Sequence, residues 1–162
     1  MIGKIGHLLN LRFLELLSKL GKINKIVLLI SVVILNLTIS LFFSEILFPD
    51  FKGGFEYESL IQAFLILVIL VPFLETLIFQ HFVIRWVFKK FPGNFLLACL
   101  LSTFLFAISH SYSIHYILKT IFSGFLYSLM YLVFFKANNR SIAYVILAHS
   151  IYNLISVIDK FR

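Results

Sequence analysis

Five predominantly apolar runs, each near the roughly 20 residues that a bilayer core requires, follow one another along this chain. They lie at about 26–48, 60–88, 95–111, 116–135 and 142–158. A 162-residue chain that is 61% hydrophobic and only 13% charged cannot hide such runs from water. Soluble domains carry about 45–50% apolar and about 25% charged residues. The solvent is therefore lipid, in which backbone polar groups are satisfied inside helices or closed barrels. Because the runs are continuous and not alternating, they predict helices: an all-α, polytopic membrane helix bundle with about five transmembrane helices.

The chain ahead of the first run reads differently. From Met1 to Leu20, Ile2, Ile5, Leu9, Phe13, Leu16 and Leu20 share one helical face, and Lys4, His7, Arg12, Glu15 and Lys19 surround it. This pattern predicts an amphipathic helix lying in the headgroup region. No small-residue cleavage site follows a compact apolar core, so a secretory signal peptide is not expected. Gly21 stops the helix, and Lys22 and Lys25 add to a basic face. The organisation expected is an amphipathic basic interfacial segment at 1–25, then a single transmembrane bundle at 26–162.

Charge supplies the orientation. The formal net charge is +7, and the basic residues cluster between apolar runs, around 85–90 and 136–140 as well as near the N-terminus. Basic flanks are expected on the cytoplasmic side. The N-terminus is then cytoplasmic and the acidic loop from Asp50 to Glu58 faces outward. An odd number of spans would put Lys160 and Arg162 outside, where they fit poorly. The basic excess predicts contact with membrane lipids and no nucleic-acid partner. Cys99, inside an apolar run, reads as a small buried hydrophobe.

Ionisable groups inside the hydrocarbon region cost at least a few kcal/mol, so they carry either a partner or a function. Three stand out: Glu75 in the second run, His110 toward the end of the third and His149 in the fifth. Asn153 lies one turn beyond His149 on the same helical face. A carboxylate, two imidazoles and an amide could serve as a general base, a water-orienting partner and an oxyanion-stabilising pair. They could also simply tie helices together. Other polar residues read more plainly. His81 packs or bonds locally, His115 and Lys119 are interfacial, and Glu45 reaches water. Ser109 and Ser111 flank His110 without a suggested buried triad. Pro72, three residues before Glu75, should kink its helix or free a backbone carbonyl.

Three stretches resemble a known family. Val71-Pro-Phe-Leu-Glu-Thr-Leu-Ile-Phe-Gln-His81, Phe106-Ala-Ile-Ser-His110 and His149-Ser-Ile-Tyr-Asn153 look like the motifs of the CAAX protease and bacteriocin-processing (CPBP, or Abi) intramembrane proteases. Those motifs read EExxxR, FxxxH and HxxxN or HxxxD, in that order, on separate helices. The resemblance covers about 61–158. It implies that Glu75 activates the attacking water, that His110 helps to hold that water, and that His149 and Asn153 stabilise the oxyanion. Phe106 opens the second motif.

The first motif departs from the pattern: the second glutamate is Thr76 and the arginine is Gln80. These positions are i,i+4, where the usual pair could form an ion pair. Losing one charge would strand the other in the membrane, whereas losing both is cheap and leaves a hydroxyl and an amide able to hydrogen-bond. No HExxH helix indicates a metal. Zinc, held by Glu75, His110 and His149 with an open fourth position, is the one cofactor these residues could supply.

The expected activity is that of an intramembrane endopeptidase, hydrolysing a membrane-associated peptide or protein by a glutamate-activated water, in a prokaryotic cytoplasmic membrane. Two alternatives use the same residues. One is a non-catalytic adaptor or immunity-type protein whose motif has drifted; the other is a small transporter or ion relay.

Overall fold

A computed structural model describes residues 2–49, 59–137 and 140–161, and among these the regular structure is entirely helical. Six helices follow in order: α1 (Ile2–Leu20), α2 (Lys25–Leu47), α3 (Leu60–Lys90), α4 (Phe95–Ser109), α5 (Ile114–Lys136) and α6 (Ser141–Lys160). Of these, α2, α3, α5 and α6 are long and apolar enough to cross a membrane. The chain is an integral membrane protein built as an all-α bundle.

The fifth expected span is shorter than the others. With 15 residues, α4 is about 22 Å long, less than the roughly 30 Å of a hydrocarbon core. It stops at Ser109, not at 111, because the His110 backbone N–H closes a tight turn onto the Ala107 carbonyl. The loop expected at 50–58 and the turn residues Asn138 and Asn139 lie outside the described residues.

Helix ends are set by local chemistry. Asn24, Ser59, Asn94 and Ser113 each accept a backbone N–H of the helix that follows, as N-caps do. Helix α5 is central, packing against all five others. Thr120, Ser123, Gly124, Tyr127, Ser128 and Tyr131 form its buried stripe at three- and four-residue spacing. Small residues on such a stripe let helices approach closely in lipid. Ser128 meets Ser102 of α4 at 2.7 Å, and the Ser102 hydroxyl also lies 2.9 Å from the Phe79 carbonyl of α3. Three helices thereby meet at one hydroxyl pair.

Helix α1 lies against α4 and α5. Phe13 and Leu17 are buried in that contact, whereas Ile5, Leu9 and Leu16 of the expected apolar face remain exposed. The helix thus has two apolar surfaces, one packed on the bundle and one open. Polar groups fasten it. The Lys136 ammonium of α5 donates to the Leu14 carbonyl at 3.0 Å. Asn10 donates to the Gly93 carbonyl and accepts the Leu96 N–H, both at 3.0 Å. Gly93 has a φ of 76°, the left-handed conformation that suits glycine in the tight turn between α3 and α4.

Candidate active site

Helix α3 is continuous but not uniformly α-helical. Wider π-helical turns cover Phe64–Leu70 and Thr76–Val83, with α-helical Val71–Glu75 between them. Glu75 is thus the last residue of a short α-helical segment between two π stretches. Such bulges often occur at functional sites.

His110 is placed by the end of α4. Because its backbone N–H turns back to Ala107, the Phe106 carbonyl loses its usual helical donor. The His110 Nδ1 takes that carbonyl at 2.7 Å, as does the Ser109 hydroxyl, also at 2.7 Å. A carbonyl only accepts, so Nδ1 carries the proton and Nε2 is left to face the interior. The four-residue spacing from Phe106 to His110 therefore has a local physical reason. Ser109 is held by the backbone of its own helix and forms no part of a nucleophilic triad.

These elements bring three of the expected residues together. The His110 Nε2 lies 3.3 Å from Glu75 Oε1, and the His149 Nε2 of α6 lies 3.7 Å from Glu75 Oε2. Each imidazole thus faces a different oxygen of one carboxylate. The side chains of Glu75, His110 and His149 are 20%, 12% and 6% exposed, so the cluster is mostly enclosed, and Glu75 Oε2 is buried. No acceptor among the described residues faces the buried His149 Nδ1. A proton on Nε2, toward the carboxylate, is the tautomer this geometry favours.

Aromatic rings support both imidazoles. Phe106 is almost fully buried, with ring centroids 4.6 Å from His110 and 6.1 Å from His149. Tyr127 stacks on His149 at 4.5 Å, and Tyr116 stacks on His110 at 5.8 Å. Nothing in the motifs marks these two tyrosines. In a chain with 20 Phe and seven Tyr, aromatic content alone marks no position. The spacing of Tyr127 within the small and polar stripe of α5 is the signal that could have done so.

The remaining expected residues stand elsewhere. Asn153 is directed at the backbone of α3, donating from Nδ2 to the Leu67 carbonyl at 2.7 Å. Thr76 and Gln80 are fully buried, and the hydrogen bonds expected of them are absent among the described residues. Their positions on α3 turn both side chains into the packed interior. His81, on the same segment, bonds the Tyr131 hydroxyl at 2.9 Å, the local role expected of it.

No group of three or more His, Cys, Asp and Glu among the described residues has the arrangement of a metal site. Glu75, His110 and His149, the donors zinc would use, show nitrogen–oxygen separations of 3.3 and 3.7 Å. Their arrangement is a carboxylate between two imidazole nitrogens, able to take up a proton on one side and to donate one on the other.

The family model for type II CAAX prenyl endopeptidases, Rce1-like, matches residues 57–155, more than half of the chain. The chain belongs to this family. No curated protein and no solved structure matches it. The matched region contains Glu75, His110, His149 and Asn153, together with the whole of α4 and α5. Membership in a protease family accords with the resemblance read from the three motifs, and the four long apolar helices place this protease-family protein in a membrane.

Proposed function

We propose that the protein is an intramembrane endopeptidase in which Glu75 activates water for attack on a peptide carbonyl. The observation that carries this reading is the position of the Glu75 carboxylate between His110 Nε2 and His149 Nε2, at 3.3 and 3.7 Å. A carboxylate so held can draw a proton from a water while an imidazole orients both.

The reaction then proceeds in two proton transfers. Glu75 takes a proton as the water oxygen bonds to the scissile carbonyl carbon, and the carbonyl π electrons move onto oxygen. His149 Nε2–H donates to that oxyanion, an interaction worth most in an enclosed, water-poor site. His110, its Nδ1–H fixed on the Phe106 carbonyl, accepts a hydrogen bond from the water at Nε2 and so aims that water beside the carboxylate. Collapse of the tetrahedral intermediate expels the amine, which receives the proton from Glu75. No covalent acyl-enzyme forms. The substrate is a peptide or protein in or beside the bilayer, and the basic segments at the N-terminus and around 85–90 lie on the cytoplasmic side.

The test compares peptide N- and C-termini in membranes containing the native protein with those containing Glu75→Gln at equal abundance. Termini found only with the native protein support proteolysis and identify the substrate. An unchanged set across conditions of expression would reject it and favour a non-catalytic adaptor on the same scaffold, in which the altered Thr76 and Gln80 positions record the loss of function.

A further inference from the structure

We propose that Asn153 is a positioning residue: its carboxamide replaces the backbone N–H that Pro72 lacks, and so fixes the segment of α3 that carries Glu75. The inference rests on the reading of Glu75 as the general base.

The Leu67 carbonyl lacks a backbone partner in either register. In an α-helical register the Leu67 carbonyl would accept the N–H of Val71, but the Val71 N–H bonds Ile66, one residue further back. In the π register that Val71 has entered, the donor to Leu67 would be residue 72. Residue 72 is proline and has no N–H. Neither register supplies Leu67 with a backbone donor. In lipid an unmet carbonyl is costly, and neighbouring helices commonly supply the missing donor. Asn153 does so from α6, with Nδ2 2.7 Å from the Leu67 oxygen.

The same pairing sets geometry. His149 stands one turn before Asn153 on α6, and Glu75 stands three residues after Pro72 on α3. A bond from Asn153 to Leu67 therefore fixes the relative height of the two helices beside the Glu75–His149 contact. On this account the Asn153 amide acts through α3 and does not touch the reacting carbonyl, in contrast to the oxyanion role that the motif resemblance implies. Pro72 and Asn153 work as a pair: the proline opens the carbonyl and the amide closes it.

The test is a cycle of four proteins: native, Asn153→Ala, Pro72→Ala and the double variant. Each is read by apparent Tm and by cleavage of a peptide spanning a site mapped with the native protein. Asn153→Ala alone lowers Tm by a few degrees, as loss of a buried hydrogen bond does in a chain of this size. It also slows cleavage, on the order of 10²-fold for a misplaced base. In the Pro72→Ala background a backbone N–H is available to Leu67, so the same substitution loses most of both effects. If Asn153→Ala cannot be recovered folded, recovery of the folded double variant is the expected result, and its failure overturns the proposal. Equal losses in both backgrounds overturn it too. Coupled Tm values with cleavage unrescued also overturn it, and would place Asn153 at the substrate. A native protein that cleaves nothing defeats the reading of Glu75, and the Tm cycle alone then decides whether Asn153 fixes α3.

Discussion

Gly124 of α5 lies so close to Phe106 of α4 that a Cβ at residue 124 would stand 2.8 Å from the Phe106 ring. The ring has little room to retreat, since it is almost fully buried among Phe79, Tyr127 and both site histidines. Its carbonyl also holds His110 Nδ1. The close approach of α4 to α5 and the position of His110 are thus parts of one packing arrangement.

Gly124→Ala should therefore harm both stability and activity. Overpacking of this kind typically costs about 1–3 kcal/mol. The displaced ring should carry His110 away from Glu75, and cleavage should fall by more than the loss of folded protein accounts for. Thermal unfolding and the rate per folded molecule check this together. A variant of native stability and rate would show that Phe106 does not position His110.

Asn10 joins α1 to the turn between α3 and α4 by two hydrogen bonds, one given and one received. Asn10→Ala removes both and leaves the Leu96 N–H without its side-chain acceptor. Loss of such a cap typically costs about 1 kcal/mol. Hydrogen exchange should rise in α1 and in the first turn of α4, while the exchange of α6 stays unchanged. Unaltered exchange at Leu96 would contradict the clamp.

Much of this fold was legible in the sequence because lipid imposes a simple rule on apolar runs. The four long spans fall within a few residues of their expected limits. The end of α4 was less so, since it is set by the tight turn of the His110 N–H onto Ala107 and not by the limit of an apolar run. The convergence of Glu75, His110 and His149 was expected from their rarity in apolar segments, and the structure brings both imidazoles within 3.7 Å of the carboxylate. Asn153 shows the limit of such reasoning. Its i,i+4 relation to His149 predicts a shared face and Pro72 predicts a freed backbone carbonyl, but the π turn that makes that carbonyl Leu67, and its pairing with Asn153, are not written in the residue pattern. The neutral Thr76 and Gln80 likewise indicate lost charge, not the complete burial of both side chains.

Chelation distinguishes the carboxylate mechanism from a zinc one. With Glu75 acting as the general base on a free water, treatment with 1,10-phenanthroline should leave the rate unchanged. Inhibition reversed by added zinc would assign Glu75, His110 and His149 to a metal.

The most direct test of the central claim is the rate of Glu75→Gln on a mapped peptide, with purified protein in lipid vesicles. The substitution keeps the side chain's size and removes its capacity to accept a proton. The account predicts a fall of roughly 10²–10⁴-fold, the usual contribution of a general base, at unchanged Tm. Cleavage at the native rate by the folded variant would contradict it.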